Sequence, residues 1–361
     1  METVFPKLSG RNCRVFSDGQ IAQMTSATPK WPDIEGARQF LQPHFRPTRL
    51  IPATSLNNVP HAQVHLKLES EMPTGSFKVR GALYALHAEM AKRQVAEVIA
   101  SSTGNHGAAV AYAAKLLNVR AKISLPIKAN PAKQARIRAY GAEIVEHGKD
   151  IAEACEAAQE YAKRGGSFLL NDATNPDVAA GTATTAVEII EQLPDVAEIW
   201  VPMGDTALIR GIASAAKRLG PKVWVVGIQA ERAPAYYLSW KQGCTVPTNT
   251  CDTIAEGLAT RTPIEENVAA IRELVDDVRL VTEDQMLRAI EHLVVKEHVV
   301  AEPAGAAATA AWLAYSTAAP SGPIVLLVTG SNIVKPILQQ ALMSGEQTSS
   351  QAIAPSVEME T

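Results

Sequence analysis

The chain has 361 residues, 47% of them apolar, and a formal net charge of −3. That length buries a substantial core and suggests two lobes. The nearly balanced charge argues against a nucleic-acid footprint, and no uninterrupted apolar run is long enough to span a bilayer.

Residues 1–30 are polar, broken by Gly and Pro, and lack an apolar signal core, so a loose N-terminal extension and a cytoplasmic protein are expected. Cys13, Cys155, Cys244 and Cys251 lack metal-ligand spacing, which fits a reducing compartment without a disulfide framework. Val79, Ala82, Leu83, Leu86 and Met90 recur at helical spacing. From about residue 94, short apolar runs alternate with helical patterns. Strands are predicted at 95–100, 121–125, 143–146, 168–170, 199–202, 223–228 and 324–328. Helices are predicted at 151–163, 181–192 and 284–297, the last with Met286, Leu287, Ile290, Leu293 and Val294 on one face. From Gly345 the chain is rich in Ser, Gln and Glu and reads as a loose tail. The alternation implies an α/β fold of open, mostly parallel sheets flanked by helices.

One segment stands apart from this pattern. In Pro73-Thr74-Gly75-Ser76-Phe77-Lys78-Val79-Arg80-Gly81-Ala82, glycines and hydroxyl residues flank an aromatic residue and a lysine. A helix pattern follows at once, so Lys78 emerges at a loop-to-helix junction. Lysines enclosed in such places shift their pKa readily and form Schiff bases with carbonyl cofactors. Gly-containing turns also follow three predicted strands, at 101–107, 204–211 and 329–332. Ligands of open α/β sheets collect at the carboxyl ends of strands, so these turns and Lys78 suggest one shared pocket. Taken alone, each turn equally reads as an ordinary structural turn.

The run around Lys78 is similar to the pyridoxal-phosphate attachment site of the serine/threonine dehydratases, the fold-type-II pyridoxal enzymes. The resemblance covers about residues 40–340. It implies that Lys78 carries pyridoxal 5′-phosphate, with Phe77 beside the ring, and that freed Lys78 acts as general base. Ser101-Ser102-Thr103-Gly104-Asn105-His106-Gly107 resembles the family's Ser-x-Gly-Asn-His loop. That likeness implies that Ser102, Thr103, Gly104, Asn105 and His106 grip the substrate carboxylate, and that Asn105 also meets the cofactor's 3′ oxygen. Thr103 stands where racemising relatives carry a serine that serves as second acid/base. Gly204, Asp205, Thr206, Ala207 and Leu208 occupy the place of the phosphate cradle, usually a run of four glycines, of which only Gly204 survives. Asp205 would bring a negative charge to a phosphate unless it points away, and Thr206 offers a hydroxyl instead. Thr329, in a turn like the family's Ser-Gly-Gly-Asn, falls on the residue that meets the pyridine nitrogen. A neutral hydroxyl there leaves a weaker electron sink and favours prompt loss of a β-leaving group. Gly257 borders the substrate, and Glu302, in Ala301-Glu302-Pro303-Ala304-Gly305, lies on the cofactor side.

The same resemblance implies a tryptophan-synthase-β-like, two-lobed architecture: a large cofactor-binding domain of residues 31–94 and 173–344 and a small domain of 95–172. Residues 1–30 and 345–361 flank it as an extension and a tail. The expected activity is dehydration and deamination of a small β-hydroxy amino acid, such as threonine, serine or hydroxyaspartate, to a 2-oxo acid and ammonia. An amino-acid racemase, a β-replacement enzyme or a non-catalytic binding relative are the alternatives; the altered 204–207 loop supports the last. Gln229 and Ala235 stand where some relatives ligate a divalent cation, so no tight metal is expected. Asp205, Arg210 and Arg232 hint at a pocket unlike a plain threonine site, with Arg210 able to pair with a second carboxylate, although the ordinary reading of Arg210 is a surface arginine. A homodimer or higher homo-oligomer without nucleic-acid or membrane partners is expected. Feedback control is not, since no regulatory domain follows residue 340.

Overall fold

The structure, a computed structural model, describes residues 27–57, 59–316 and 321–351. In chain order the elements begin with α1 (Trp31–Leu41), β1 (Leu50–Pro52), β2 (Val64–Lys67), α2 (Lys78–Lys92), β3 (Glu97–Ser101) and α3 (Asn105–Leu116). Next come β4 (Arg120–Leu125), α4 (Pro131–Ala139), β5 (Glu143–Glu146), α5 (Ile151–Lys163), β6 (Ser167–Leu169), α6 (Pro176–Gln192) and β7 (Glu198–Pro202). Then follow α7 (Ala207–Leu219), β8 (Trp224–Ala230), α8 (Ala235–Gln242), α9 (Glu265–Leu274), β9 (Asp277–Val281), α10 (Glu283–Lys296), α11 (Pro303–Tyr315), β10 (Ile324–Leu327) and α12 (Lys335–Gln351).

The helix starts follow local chemistry. Asn130, Asp150 and Asn175 each cap a helix by accepting from its first backbone N–H groups, and Pro131 and Pro176 occupy the first turn after two of them. The Asn175-Pro176 signal starts α6 ahead of the predicted residue 181. Thr282 and Gln285 form a capping box that opens α10. Helix α12 reaches Gln351, into the segment read as a tail, whereas most of the N-terminal extension lies outside the described residues.

Two sheets carry the fold. The larger has strand order β1-β2-β10-β7-β8-β9 and the smaller β5-β4-β3-β6. All pairs are parallel except β1 against β2. Strand β10 is buried on both faces, as a parallel sheet between helices requires. On one face Trp200 meets Trp312 of α11 edge-on, with ring centres 5.5 Å apart. On the other, Ile199 and Val201 pack on Ile209 and Ile212 of α7. The smaller sheet shares its core with α2 and α3. Sequence periodicity did not reveal β1, β2 or β9. Strand β1 ends on Pro52, which only an edge strand tolerates readily, and β2 ends on a charged residue that is fully buried.

That residue, Lys67, belongs to an ionic cluster behind α2. Arg80 donates to both oxygens of Glu69 at 2.8 Å and to Glu188 at 2.6 Å. Lys67 donates to Glu188 at 2.7 Å, to the Thr48 carbonyl at 2.9 Å and to Gln192 at 3.0 Å. The side chains of Arg80 and Glu69 are 1% and 0% exposed, so each charge depends on its partners. The cluster ties β2 and α2 to α6, whose Gly181 passes so near that a Cβ there would stand 2.7 Å from the Arg80 carbonyl. Lys78 therefore begins a helix fixed on its inner side.

Among the described residues, no helix is long and apolar enough to cross a membrane. Cys155 and Cys251 have free thiols, so no bridge joins Cys251 to Cys244.

Candidate active site

Three strands deliver their following loops to one place. Residues 101–107 follow β3, residues 203–206 follow β7, and residues 328–332 follow β10. The segment leading to Lys78 lies against the last of these. Phe77 donates its N–H to the Thr329 carbonyl at 3.1 Å, Ser331 donates to the Gly75 carbonyl at 2.9 Å, and Ser76 bridges Gly330. Asn332 links this pair to the 101–107 loop, donating to the Thr74 carbonyl at 3.0 Å and to Asn105 Oδ1 at 2.5 Å. Asn105 Nδ2 in turn donates to Glu302 Oε1 at 2.6 Å, and Glu302 N–H to the Gly330 carbonyl at 2.9 Å. The loop after β7 touches residues 255–259: a Cβ on Gly204 would stand 2.1 Å from the Gly257 carbonyl. Gly257 itself is exposed and adjoins Ala304.

The Lys78 ammonium is at the centre. It donates to Asp172 Oδ2 at 2.6 Å and to Asp205 Oδ2 at 2.5 Å, and lies 5.3 Å from the Phe77 ring centre. The three charged side chains are 13%, 20% and 22% exposed, which makes this a partly open cleft. Burial pulls the Lys78 pKa down, but the two carboxylates outweigh it and hold the amine above its ordinary value. Burial likewise pushes Asp172 up, but His106 and Lys78 beside it hold its carboxyl well below the usual range. His106 is 3.5 Å from Asp172 through Nδ1 and donates through Nε2 to the Leu170 carbonyl at 3.0 Å. Burial raises Glu302 to about 7, against the lowering effect of Asn105's hydrogen bond.

Asp172 was not legible as a site residue. It follows β6, in a segment that sequence reading treated only as a lobe boundary. Its signal was weak: Asn171-Asp172 after a short apolar run, with Asn171 Oδ1 accepting from Ala173 N–H at 2.9 Å to turn the chain.

Several expected contacts differ from the reading above. Asp205 does not point away from the cleft; it faces Lys78, and its Oδ1 accepts from the Ala207 N–H at 2.9 Å. The Thr206 hydroxyl instead accepts from Arg210 Nε at 3.1 Å, with Thr206 in the left-handed region at φ 76°. Leu208 is buried in the core beneath α7, leaving only its backbone near the loop. Arg210 is 1% exposed and is turned inward to the carbonyls of Ala27 and Ala173, so it is not presented to a substrate. Arg232 is an exposed partner of Asp252, 3.1 Å away. Ser102 Oγ accepts from Gly104 N–H at 3.2 Å within its own loop, and Thr103 stands half-buried beside it. Gln229 accepts from the Tyr237 N–H at 2.8 Å.

The fit to a phosphorylated aldehyde rests on several features. Lys78 supplies the amine. Helices α3 and α7 direct N-termini at the cleft, as anion binding requires. Gly204 leaves room for no side chain, and Ser76 Oγ, two residues from Lys78, is buried without a partner. Thr329 is 4% exposed, adjoining Phe77.

Comparison with known proteins agrees. The family described as "Pyridoxal-phosphate dependent enzyme" matches residues 41–330. The L-threonine ammonia-lyase of Geobacter sulfurreducens is 34% identical over 300 residues, 83% of this chain and 75% of that one. A catabolic L-threonine dehydratase of Staphylococcus aureus is 33% identical over 311 residues, 83% of this chain and 88% of that one. Among solved structures, the threonine deaminase of T.th. superposes with a TM-score of 0.78 at 31% identity, covering 85% of this chain and 99% of that one. Maize serine racemase gives 0.82 at 27% identity, covering 90% and 99%.

Proposed function

Because this chain belongs to the pyridoxal-phosphate-dependent enzymes, we propose that it deaminates a small, uncharged β-hydroxy amino acid of the threonine or serine kind, with Lys78 as the attachment point. It is a lyase of the threonine ammonia-lyase type, and its cofactor is pyridoxal 5′-phosphate. The observation that carries the proposal is the convergence on Lys78 of the loops that follow β3, β6, β7 and β10.

Lys78 would hold the cofactor, Thr329 and Asn105 would flank its ring, and the backbone at the start of α7 would meet its phosphate. When bound, the cofactor takes up the electron pair left at the substrate Cα. The remaining work belongs to the chain's own groups. Lys78 Nζ takes the Cα proton as general base. Asp172, ionised and within hydrogen-bond reach of that nitrogen, steadies the charge it gains. The backbone N–H groups of the 101–107 loop, at the start of α3, hold the substrate carboxylate without a cationic side chain. The Cα proton and the β-hydroxyl together leave as water, and a second water hydrolyses the resulting imine, so the products are a 2-oxo acid and ammonia.

The charges in the cleft narrow the substrate. Two carboxylates face Lys78, and Arg210, read from the sequence as a partner for a second substrate carboxylate, is turned inward. Hydroxyaspartate is therefore disfavoured against threonine and serine. The test is 2-oxo acid release from L-threonine, L-serine and 3-hydroxyaspartate. The reading expects the neutral pair to be preferred, and preference for hydroxyaspartate would overturn it. Formation of D-amino acid as the main product from any of them would point instead to a racemase.

A further inference from the structure

Asp205 has two contacts that no turn requires together. Its Oδ1 accepts the Ala207 N–H at the first turn of α7, and its Oδ2 takes the Lys78 ammonium at 2.5 Å. Helix α7 runs from Ala207 to Leu219, so its N-terminus carries the partial positive charge of a full helix. A carboxylate thus occupies the N-terminus of α7 while in contact with Lys78, where an anion tethered to that lysine would lie. The loop is held in this form from behind. Arg210 binds the Thr206 hydroxyl and the Ala173 carbonyl, and Asn267 donates to the Ala173 carbonyl at 3.0 Å and the Asp205 carbonyl at 3.4 Å.

We propose that Asp205 is an internal competitor of the cofactor's phosphate, so that this chain binds pyridoxal phosphate less tightly than its scaffold allows and discriminates weakly between the phosphorylated and unphosphorylated aldehydes. The inference rests on the cofactor assignment above but not on any substrate. The phosphate must displace Asp205 from the Ala207 N–H, or share the helix end with a like charge. The unphosphorylated aldehyde needs only the Lys78 amine. Asp172 also pairs with Lys78 but does not cap α7, so it separates the two effects.

The experiment titrates the purified full-length chain with pyridoxal 5′-phosphate and, separately, with pyridoxal. Binding is followed by the visible absorbance of the bound aldehyde and by quenching of tryptophan fluorescence. Wild type, Asp205→Asn, Asp205→Gly and Asp172→Asn are compared, each checked for an unchanged circular dichroism spectrum. Removing the charge is expected to raise the preference for the phosphorylated form roughly tenfold in Asp205→Asn, and at least as much in Asp205→Gly. Asp172→Asn is expected to change the affinity for both aldehydes in parallel and leave their ratio within about twofold. The proposal is overturned if both folded Asp205 variants keep the wild-type ratio, or bind the phosphorylated form more weakly. It is also overturned if Asp172→Asn raises the ratio as much as they do. Binding that appears only in the Asp205 variants supports it; no binding in any chain overturns it together with the cofactor assignment. Failure of substrate turnover alone overturns only the proposed activity.

Discussion

Helix α2 carries two cations two positions apart, each pinned between two carboxylates, and they do different things. Arg80 meets Glu69 and Glu188 in a cluster almost closed to water, completed by Lys67 and Gln192. Lys78 meets Asp172 and Asp205 in a cleft that solvent still reaches. Arginine cannot lose its proton within the range where proteins fold, so Arg80 can only hold elements together. Lysine can, and its stem is flexible enough to exchange one partner for another. One arrangement fixes the helix; the other stores an amine in a charged, replaceable contact at the helix's first residue.

That contrast can be broken by experiment, starting with the largest effect. Lys78→Ala is expected to lower turnover by roughly a thousandfold or more while leaving the far-ultraviolet spectrum intact. Near-normal turnover would remove Lys78 from the chemistry. Arg80→Met leaves Glu69 and Glu188 short of a buried partner and is expected to cost about 3–5 kcal/mol in urea denaturation. Lys78→Met should cost roughly half of that or less, since its carboxylates remain partly hydrated. Equal losses at the two positions would erase the distinction between scaffold and store.

A smaller effect concerns Glu302. Its folded pKa of about 7 lies above an ordinary 4.5, so the folded chain binds more protons than the unfolded one between those values. Stability should therefore fall as pH rises from about 4.5 to 7, then level off. Glu302→Gln is expected to remove roughly 3 kcal/mol of that fall, read from denaturation midpoints across the range. An unchanged pH dependence would mean that Glu302 titrates normally. Smallest is Asp172→Asn. With one carboxylate gone, burial weighs more on Lys78, and the rise of cofactor-binding rate with pH should move down by about one unit. A shift upward would contradict the electrostatics described here.

Much of this was legible in the sequence. The strands with continuous apolar runs, such as those predicted at 199–202 and 324–328, stand within a residue of where periodicity put them, because parallel strands buried on both faces have no polar alternation to blur the signal. Helix α5 matches its predicted span because Asp150 caps it. The turns around Lys78 were readable from glycines and strand ends. What was missed had no local signature. Strand β2 ends on Lys67, whose burial depends on Glu188 far along the chain, and β9 mixes charged with apolar residues at a sheet edge. Asp172 is a site residue only because β6 lies beside β3 and turns its following loop toward α2. Asp205 was visible as an oddity, but the direction of its carboxylate follows from the Ala207 N–H and Lys78 together, a tertiary fact. Arg210 was misread for the opposite reason: a charge on an amphipathic helix is usually outside, and this one is wholly inside, spent on carbonyl groups.

The assignment of Lys78 as the attachment point can be tested chemically without any substrate. The chain is loaded with pyridoxal phosphate, treated with borohydride to make the linkage permanent, digested, and mapped by mass spectrometry. The expected result is one modified peptide, carrying the added mass on Lys78. Modification spread over surface lysines, or settled on any lysine other than Lys78, would contradict it.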